Sequence, residues 1–424
     1  MERIKEHVMK IVERLLESER VHILAHADAD GITSAAILGK ALMNSDIQFD
    51  IRPLITIETS LFAQAYEDRK DVGGTRVLLD LGSNLSAISG IFPDAIVIDH
   101  HQITGTGNVL LFNPRKKGLS TPTAVLTYFV AKHIDPGAYR YSYLPLVGAW
   151  GDNALREDAS DPLVKSVLRE AEFKGIIRSE LGRRVYDDSR PLAEILSSIV
   201  PEDSKYYRNP REVAKFLKDM NIKTDSLSEL TEKEKMLIQD HLNIKLERIY
   251  YIVGETLPML KTVHEFSTLI NACCKMGHPE EGLSVALGDR DEGYVRAINI
   301  YKEYRRELGS HIAAARSKRF TYRNTIDVVI LDDVDRKKAS TIASVLRKNK
   351  GKRPLIVVGY NGDKIKISAR GRGNLGYVIQ RAAALVGGEG GGHENAAGAT
   401  IPKDKLTDFL DTVVGLIKKS RAAI

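Results

Sequence analysis

The first chemistry in the chain is carried by His26-Ala27-Asp28-Ala29-Asp30-Gly31. One imidazole and two carboxylates stand almost side by side, and like charges that close repel unless something neutralises them. A divalent cation would do so, since imidazole nitrogen and carboxylate oxygen are both ordinary metal donors. The competing account is a turn whose Asp side chains cap the next helix. Three further stretches end apolar runs with the same residue types. Arg76-Val77-Leu78-Leu79 runs into Asp80, Asp94-Ala95-Ile96-Val97-Ile98 into Asp99-His100-His101, and Val147-Gly148-Ala149-Trp150-Gly151 into Asp152. These groups are enough for two ions, a known clamp for phosphoryl transfer. The mixed donors suit manganese, with magnesium, cobalt, zinc or iron as alternatives.

Strands must position these groups. Residues 21–25 are a short apolar run that reads as a buried strand. Ile32, Ala35, Ala36 and Ile37 then read as a helix, with Thr33 or Ser34 available as its cap. Strand and helix alternate to about residue 155, including a strand at 47–51 and a helix at 122–133. That alternation predicts an α/β fold with a mostly parallel sheet. In such sheets ligands bind outside the carboxyl ends of the strands, where the acids and histidines fall. Ahead of this region, Ile4, Val8, Ile11, Val12, Leu15 and Leu16 describe an amphipathic helix. Arg115-Lys116-Lys117 is a solvated loop or a phosphate contact, and Ser120 and Thr121 behind it can cap the helix at 122–133.

The rest of the chain divides by character into segments 156–260, 261–320 and 321–424, after a first segment at 1–155. In 156–260 charge is dense (Glu157-Asp158, Arg183-Arg184) and apolar residues recur at helical spacing, as in Val213, Phe216, Leu217 and Met220. This predicts a helical insertion. Its Lys205-Tyr206-Tyr207-Arg208 either stacks on bases or belongs to a partly buried surface segment. Residues 266–276 predict a helix, and 294–319 one long connector helix. In 321–424, strands are expected at 327–331, 354–358 and 364–370, with a turn at Asn361-Gly362. Helices are expected at 340–349, 376–386 and 406–419. The run Gly387–Gly392, ending in His393, reads as a ligand site whose exposed N–H groups form an anion nest with Arg370 nearby, or else as a floppy surface loop.

Composition narrows the class. With 43% hydrophobic and 28% charged residues, the chain is long enough at 424 residues for two or three cores. The formal net charge of +6 permits nucleic-acid binding without establishing it. Adjacent Cys273 and Cys274 cannot staple distant segments and fit a reducing, cytoplasmic compartment. No apolar run predicts a membrane span, and the charged start predicts no signal peptide.

His26-x-Asp28-x-Asp30-Gly31, Asp80, Asp99-His100-His101 and Asp152 resemble, in order, the four motifs of the DHH phosphoesterases. Gly390-Gly-Gly-His393-Glu-Asn-Ala-Ala-Gly398-Ala resembles the DHHA1 signature. Together they are closest to archaeal RecJ-like single-strand exonucleases. The residues after Gly398 are too few for the OB barrel of the bacterial proteins. The resemblance implies a DHH domain, a helical insertion, a connector helix and a smaller α/β DHHA1 domain. It implies two divalent ions, one on His26, Asp28 and Asp80, the other on Asp30, Asp80, His100 and Asp152. Asp99 would orient an imidazole, and His101 would act on the scissile phosphate. Ser368, Arg370, Gly390, Gly391, Gly392, His393 and Lys275 would hold substrate. At the helix where relatives read Asn-Ala-x-Gly-Arg, this chain reads Asn271-Ala-Cys-Cys-Lys275, so a point charge replaces a bidentate fork. The implied function is exonucleolytic hydrolysis of single-stranded DNA or RNA, with a replisome protein as partner through the insertion and a role in replication or repair. A phosphodiesterase for nanoRNA or cyclic dinucleotides, and a replisome scaffold, are the alternatives.

Overall fold

The computed structural model describes residues 2–55, 73–155, 161–182, 191–200, 204–226, 229–244, 247–331, 336–347, 353–361, 364–372 and 374–422. Glu157, Asp158, Arg183, Arg184 and Gly362, singled out above, lie outside them. Two compact units are present, Met1–Tyr301 and Lys302–Ile424.

The first unit is built on five strands: β1 (Arg20–His26), β2 (Gln48–Leu54), β3 (Thr75–Leu79), β4 (Ile96–Ile98) and β5 (Leu110–Phe112). Their order is β2-β1-β3-β4-β5 and every pairing is parallel. A parallel sheet is covered on both faces, which is why Val21, Ile23, Val77, Leu78, Ile96 and Val97 are all buried. Helices α1 (Glu2–Leu16) and α2 (Ala29–Met43) flank the sheet in sequence. In α1, Val8, Ile11, Val12 and Leu15 are buried, as their spacing predicts, while Leu16 is exposed. Helix α2 starts earlier than expected. Asp28 is its N-cap, and Thr33 and Ser34 instead bond back to the carbonyls of Ala29 and Asp30. After α3 (Leu85–Ile91), two helices matter for the site: α4 (Thr123–Ile134) and α5 (Tyr143–Gly151).

The insertion is not wholly helical. Following α6 (Pro162–Phe173), strand β6 (Ile177–Gly182) pairs antiparallel with β7 (Glu247–Ile252). Between them lie α7 (Leu192–Ile199), α8 (Pro210–Asp219) and α9 (Glu232–Leu242) around a core of their own, including Leu192, Leu196, Val213, Phe216, Leu217 and Leu242. Tyr206 and Tyr207 pack against that core, so the Lys205–Arg208 rings serve packing. Then follow α10 (Val263–Lys275), α11 (Pro279–Leu287) and the long α12 (Glu292–Ser317), which contributes residues to both units.

The second unit holds a six-stranded mixed sheet in the order β12-β13-β11-β10-β9-β8. The strands are β8 (Phe320–Tyr322), β9 (Ile326–Leu331), β10 (Leu355–Asn361), β11 (Lys364–Arg370), β12 (Glu389–His393) and β13 (Ala396–Pro402). One face packs Val328, Ile356 and Ile367 against α14 (Leu375–Leu385) and α15 (Leu406–Ala422) through Ile379 and Phe409. The other packs Val329 and Val357 against α13 (Arg336–Arg347) through Ile342 and Leu346. The glycine run is not a loop throughout. Gly387 and Gly388 precede edge strand β12, in which Gly390, Gly391 and Gly392 lie opposite Ala399, Gly398 and Ala397. Cross-strand pairing overrides the weak strand preference of glycine. Gly390 is close-packed, a Cβ there lying 2.8 Å from that of Ala399, whereas Gly391 faces open space.

Candidate metal centre

Each acidic motif arrives from the carboxyl end of an element. His26 ends β1, and Asp28 follows in the turn. One Asp28 oxygen accepts the Gly31 N–H at 3.0 Å, capping α2, while the other lies 2.9 Å from His26 Nδ1. Capping and the contact with His26 therefore use different oxygens of one carboxylate. The turn is so close that a Cβ on Gly31 would stand 2.1 Å from the His26 carbonyl oxygen, which only glycine avoids.

Asp80 follows β3 with φ of +62°, a left-handed conformation that non-glycine residues rarely adopt. Its backbone N–H still donates to the Ile98 carbonyl, so the sheet holds the turn in place. Oδ2 of Asp80 is 3.2 Å from His26 Nδ1, and Oδ1 is 3.5 Å from both His100 Nε2 and His101 Nδ1. One carboxylate thus faces two histidine groups with different oxygens. Asp152, at the end of α5, is 3.0 Å from His100 Nε2. Asp30 lies 3.8 Å from the same nitrogen and is 1% exposed. Asp99 is fully buried and holds His101 twice, by its backbone N–H at 3.2 Å and by Nδ1 at 3.0 Å. With Nδ1–H donating to Asp99, His101 presents Nε2 as its free ring nitrogen. Its side chain is 45% exposed, the most open of the three histidines.

Two features of the site are invisible in its motifs. The expected caps of α4 are engaged elsewhere: Thr121 bonds Asp161, and Ser120 accepts from Arg115. Asp30 takes their place. Its two oxygens accept the Thr123 N–H at 2.7 Å and the Ala124 N–H at 2.9 Å, so the helix start is capped by a carboxylate from α2. The Thr123 hydroxyl donates to Asp80 Oδ1 at 3.1 Å. In addition, Asn271 Oδ1 accepts the Ala29 N–H at 3.2 Å, setting α10 against the His26–Gly31 turn, with Lys275 in the last turn of that helix. Pro122-Thr123 was the available signal, since proline commonly opens a helix. Arg115 also reaches the rim, donating to the His100 carbonyl at 3.3 Å.

Charge in the cluster is unbalanced: Asp28, Asp30, Asp80, Asp99 and Asp152 face His26, His100 and His101. Burial opposes the imidazolium form of His100, yet Asp152 and Asp80 outweigh it and push its pKa up to about 12. For His26, burial is likewise outweighed by Asp28 and Asp80, so its pKa is raised well above the usual value. The His101 pKa is raised chiefly by its bond to Asp99. Asp80 is held well below the carboxylate range, since His100 and His26 overcome its burial. Burial, then the charges of Asp152 and Asp80, raise Asp30, and burial raises Asp152 despite His100. The acids thus favour the positively charged forms of His26 and His100.

Do these residues fit divalent ions? Three sets have donor atoms within 4.8 Å of one another: His26, Asp28 and Asp80; Asp80, His100 and His101; Asp30, His100 and Asp152. Both ring nitrogens of His100 are buried and neither is in an aligned hydrogen bond, although carboxylate oxygens lie close by. Imidazole and carboxylate donors this close together suit a metal centre, and the sets share Asp80 and His100. The donors fit.

In the second unit, Arg370 ends β11 and is partly buried. It donates to the hydroxyls of Ser340 at 2.7 Å, Ser344 at 3.0 Å and Ser368 at 3.3 Å. Among the described residues no carboxylate pairs with it. Burial pulls its pKa down. Gly390–Gly392 lie on β12 in the same sheet, separated from β11 by β13. His393 is the last residue of β12, and its side chain lies outside the described residues.

Comparison with known proteins agrees with this architecture. The DHHA1 domain model matches residues 324–419. The chain is 25% identical over 445 aligned residues to the uncharacterized protein MJ0831 of Methanocaldococcus jannaschii, with 98% of each covered. Its fold is similar to RecJ from Thermus thermophilus in complex with Mn2+, at TM-score 0.62 and 16% identity. That match covers 98% of this chain and 55% of RecJ, so the chain spans about half that protein. The complex of the same RecJ with Mg2+ matches at 0.56 and 16%, covering 98% and 52%. CDC45 from Entamoeba histolytica matches at 0.64 and 10%, covering 98% of both chains. Among the described residues no helix is long and apolar enough to cross a membrane. The chain thus carries a DHHA1 domain at residues 324–419 and has a fold similar to that of RecJ.

Proposed function

We propose that the protein is a metal-dependent exonuclease that hydrolyses phosphodiester bonds of single-stranded DNA or RNA from an end. The observation that carries this reading is the position of Asp80, whose two oxygens face two separate histidine groups. His26, Asp28 and Asp80 would hold one ion, and Asp30, Asp80, His100 and Asp152 the other, with Mn2+ the best match to the donors. Bound ions supply positive charge and acidify water. The chain's own residues do the rest. Asp99 fixes the His101 ring so that Nε2 meets the scissile phosphate. Arg370 and Ser368, with Gly390–Gly392, His393 and Lys275, hold the strand's phosphates and so position its end.

The division of labour belongs to the same proposal. Segments 1–155 and 261–320 carry the chemistry, 156–260 recruits a protein partner, and 321–424 binds substrate. The whole-length likeness to CDC45 supports a replisome association alongside catalysis. The test is digestion of end-labelled DNA and RNA oligonucleotides with Mn2+, Mg2+ or Co2+, and with EDTA. Stepwise shortening that EDTA stops is the expected result. Cleavage of short RNA or cyclic dinucleotides alone would replace the exonuclease by a small-substrate phosphodiesterase. No cleavage of any substrate would leave the scaffold.

A further inference from the structure

We infer that Thr123 is a positioning residue of the metal centre, acting through the two buried acids that no solvent can orient. This rests on the metal-centre reading above and adds a residue to it that is not itself a ligand. Asp30 and Asp80 are each 1% exposed. A buried carboxylate keeps its charge and aim only if its oxygens are bonded. Thr123, wholly buried, serves both. Its N–H reaches Asp30 Oδ2 at 2.7 Å, and its hydroxyl reaches Asp80 Oδ1 at 3.1 Å.

The two contacts have different consequences. The N–H belongs to the first turn of α4, where the free amide groups and the helix dipole favour negative charge. Any residue but proline at 123 supplies it. The hydroxyl is specific to threonine or serine. It donates to the Asp80 oxygen that faces His100 and His101 and leaves Oδ2 to His26. The Thr123 hydroxyl thereby fixes the roll of the carboxylate that both ion positions share. Without it Oδ1 loses its hydroxyl donor, only the His26 contact to Oδ2 remains to orient the carboxylate, and the edge the two positions share is less firmly set. Groups that orient ligands commonly matter about 10- to 100-fold in metal affinity.

The experiment is calorimetric titration of the full chain with Mn2+, in wild type, Thr123→Val and Thr123→Ser. Valine keeps the shape and the N–H but loses the hydroxyl. The Mn2+ dissociation constant of at least one site should rise about 10-fold or more in Thr123→Val and return to within about twofold of wild type in Thr123→Ser. Circular dichroism checks the fold, and if the valine variant fails it, Thr123→Ala against Thr123→Ser gives the same contrast. Mn2+ binding in Thr123→Val equal to wild type would overturn the assignment, as would equal losses in the valine and serine variants. Wild-type protein that took up no Mn2+ would overturn the metal-centre reading, and this assignment with it.

Discussion

The two units concentrate charge of opposite sign, buried acids in the first and a partly buried guanidinium in the second. In the first, five carboxylates surround three histidines, and His100 is left with no aligned partner. In the second, the Arg370 guanidinium has only hydroxyls and carbonyls around it among the described residues. An uncompensated buried charge is expensive. Keeping both kinds in one chain makes sense if each is completed from outside, the acids by cations and the guanidinium by an anion.

The largest effect should come from removing the shared acid. Asp80→Ala is expected to lower turnover by about 10³-fold, with loss of Mn2+ binding and an unchanged circular dichroism spectrum. Wild-type turnover in that variant would break the comparison at its acidic side. His101→Ala should lower turnover about 10²-fold while metal content stays near normal. Loss of metal there would make His101 a ligand. On the other side, Arg370→Ala should raise KM for oligonucleotides about 10-fold or more, and spare a small activated phosphodiester that makes few contacts. Equal losses on both substrates would mean that Arg370 supports the fold alone. Mn2+ at a hundredfold excess over its dissociation constant should stabilise the protein by about 2.7 kcal/mol, read as a rise in Tm that Asp80→Ala abolishes. The smallest effect is Gly391→Ala. This edge position has open space, so stability should change by less than about 0.5 kcal/mol. A raised oligonucleotide KM with unchanged Tm would place ligand against β12.

Much of the site was legible because apolar runs that stop at Asp80 and Asp99 are strands that stop there, and a parallel sheet gathers such ends. What could not be read was the set of donors without side-chain identity. The cap on Asp30 is a pair of backbone N–H groups from a helix 93 positions away in sequence, and no residue type announces it. Ser120 and Thr121 looked like the caps because local chemistry favours them, yet the long-range carboxylate was better placed. The pairing of β6 with β7 was missed for a similar reason, since each strand is short and its partner distant. Helical periodicity dominated that segment and was right for α8. The glycine run failed by propensity, which says nothing of a waiting partner such as β13.

That β6–β7 pairing has a consequence for how the segment between its strands could vary. The register runs from Ile177 opposite Ile252 to Gly182 opposite Glu247, so the chain departs and returns side by side. An excursion with joined ends costs little more when lengthened, about 0.6 kcal/mol for each doubling. The helices beyond the ribbon share a core among themselves. They can be traded, enlarged or trimmed to a tight turn between Gly182 and Glu247 while the ribbon still closes the gap, which leaves this segment open to modular change.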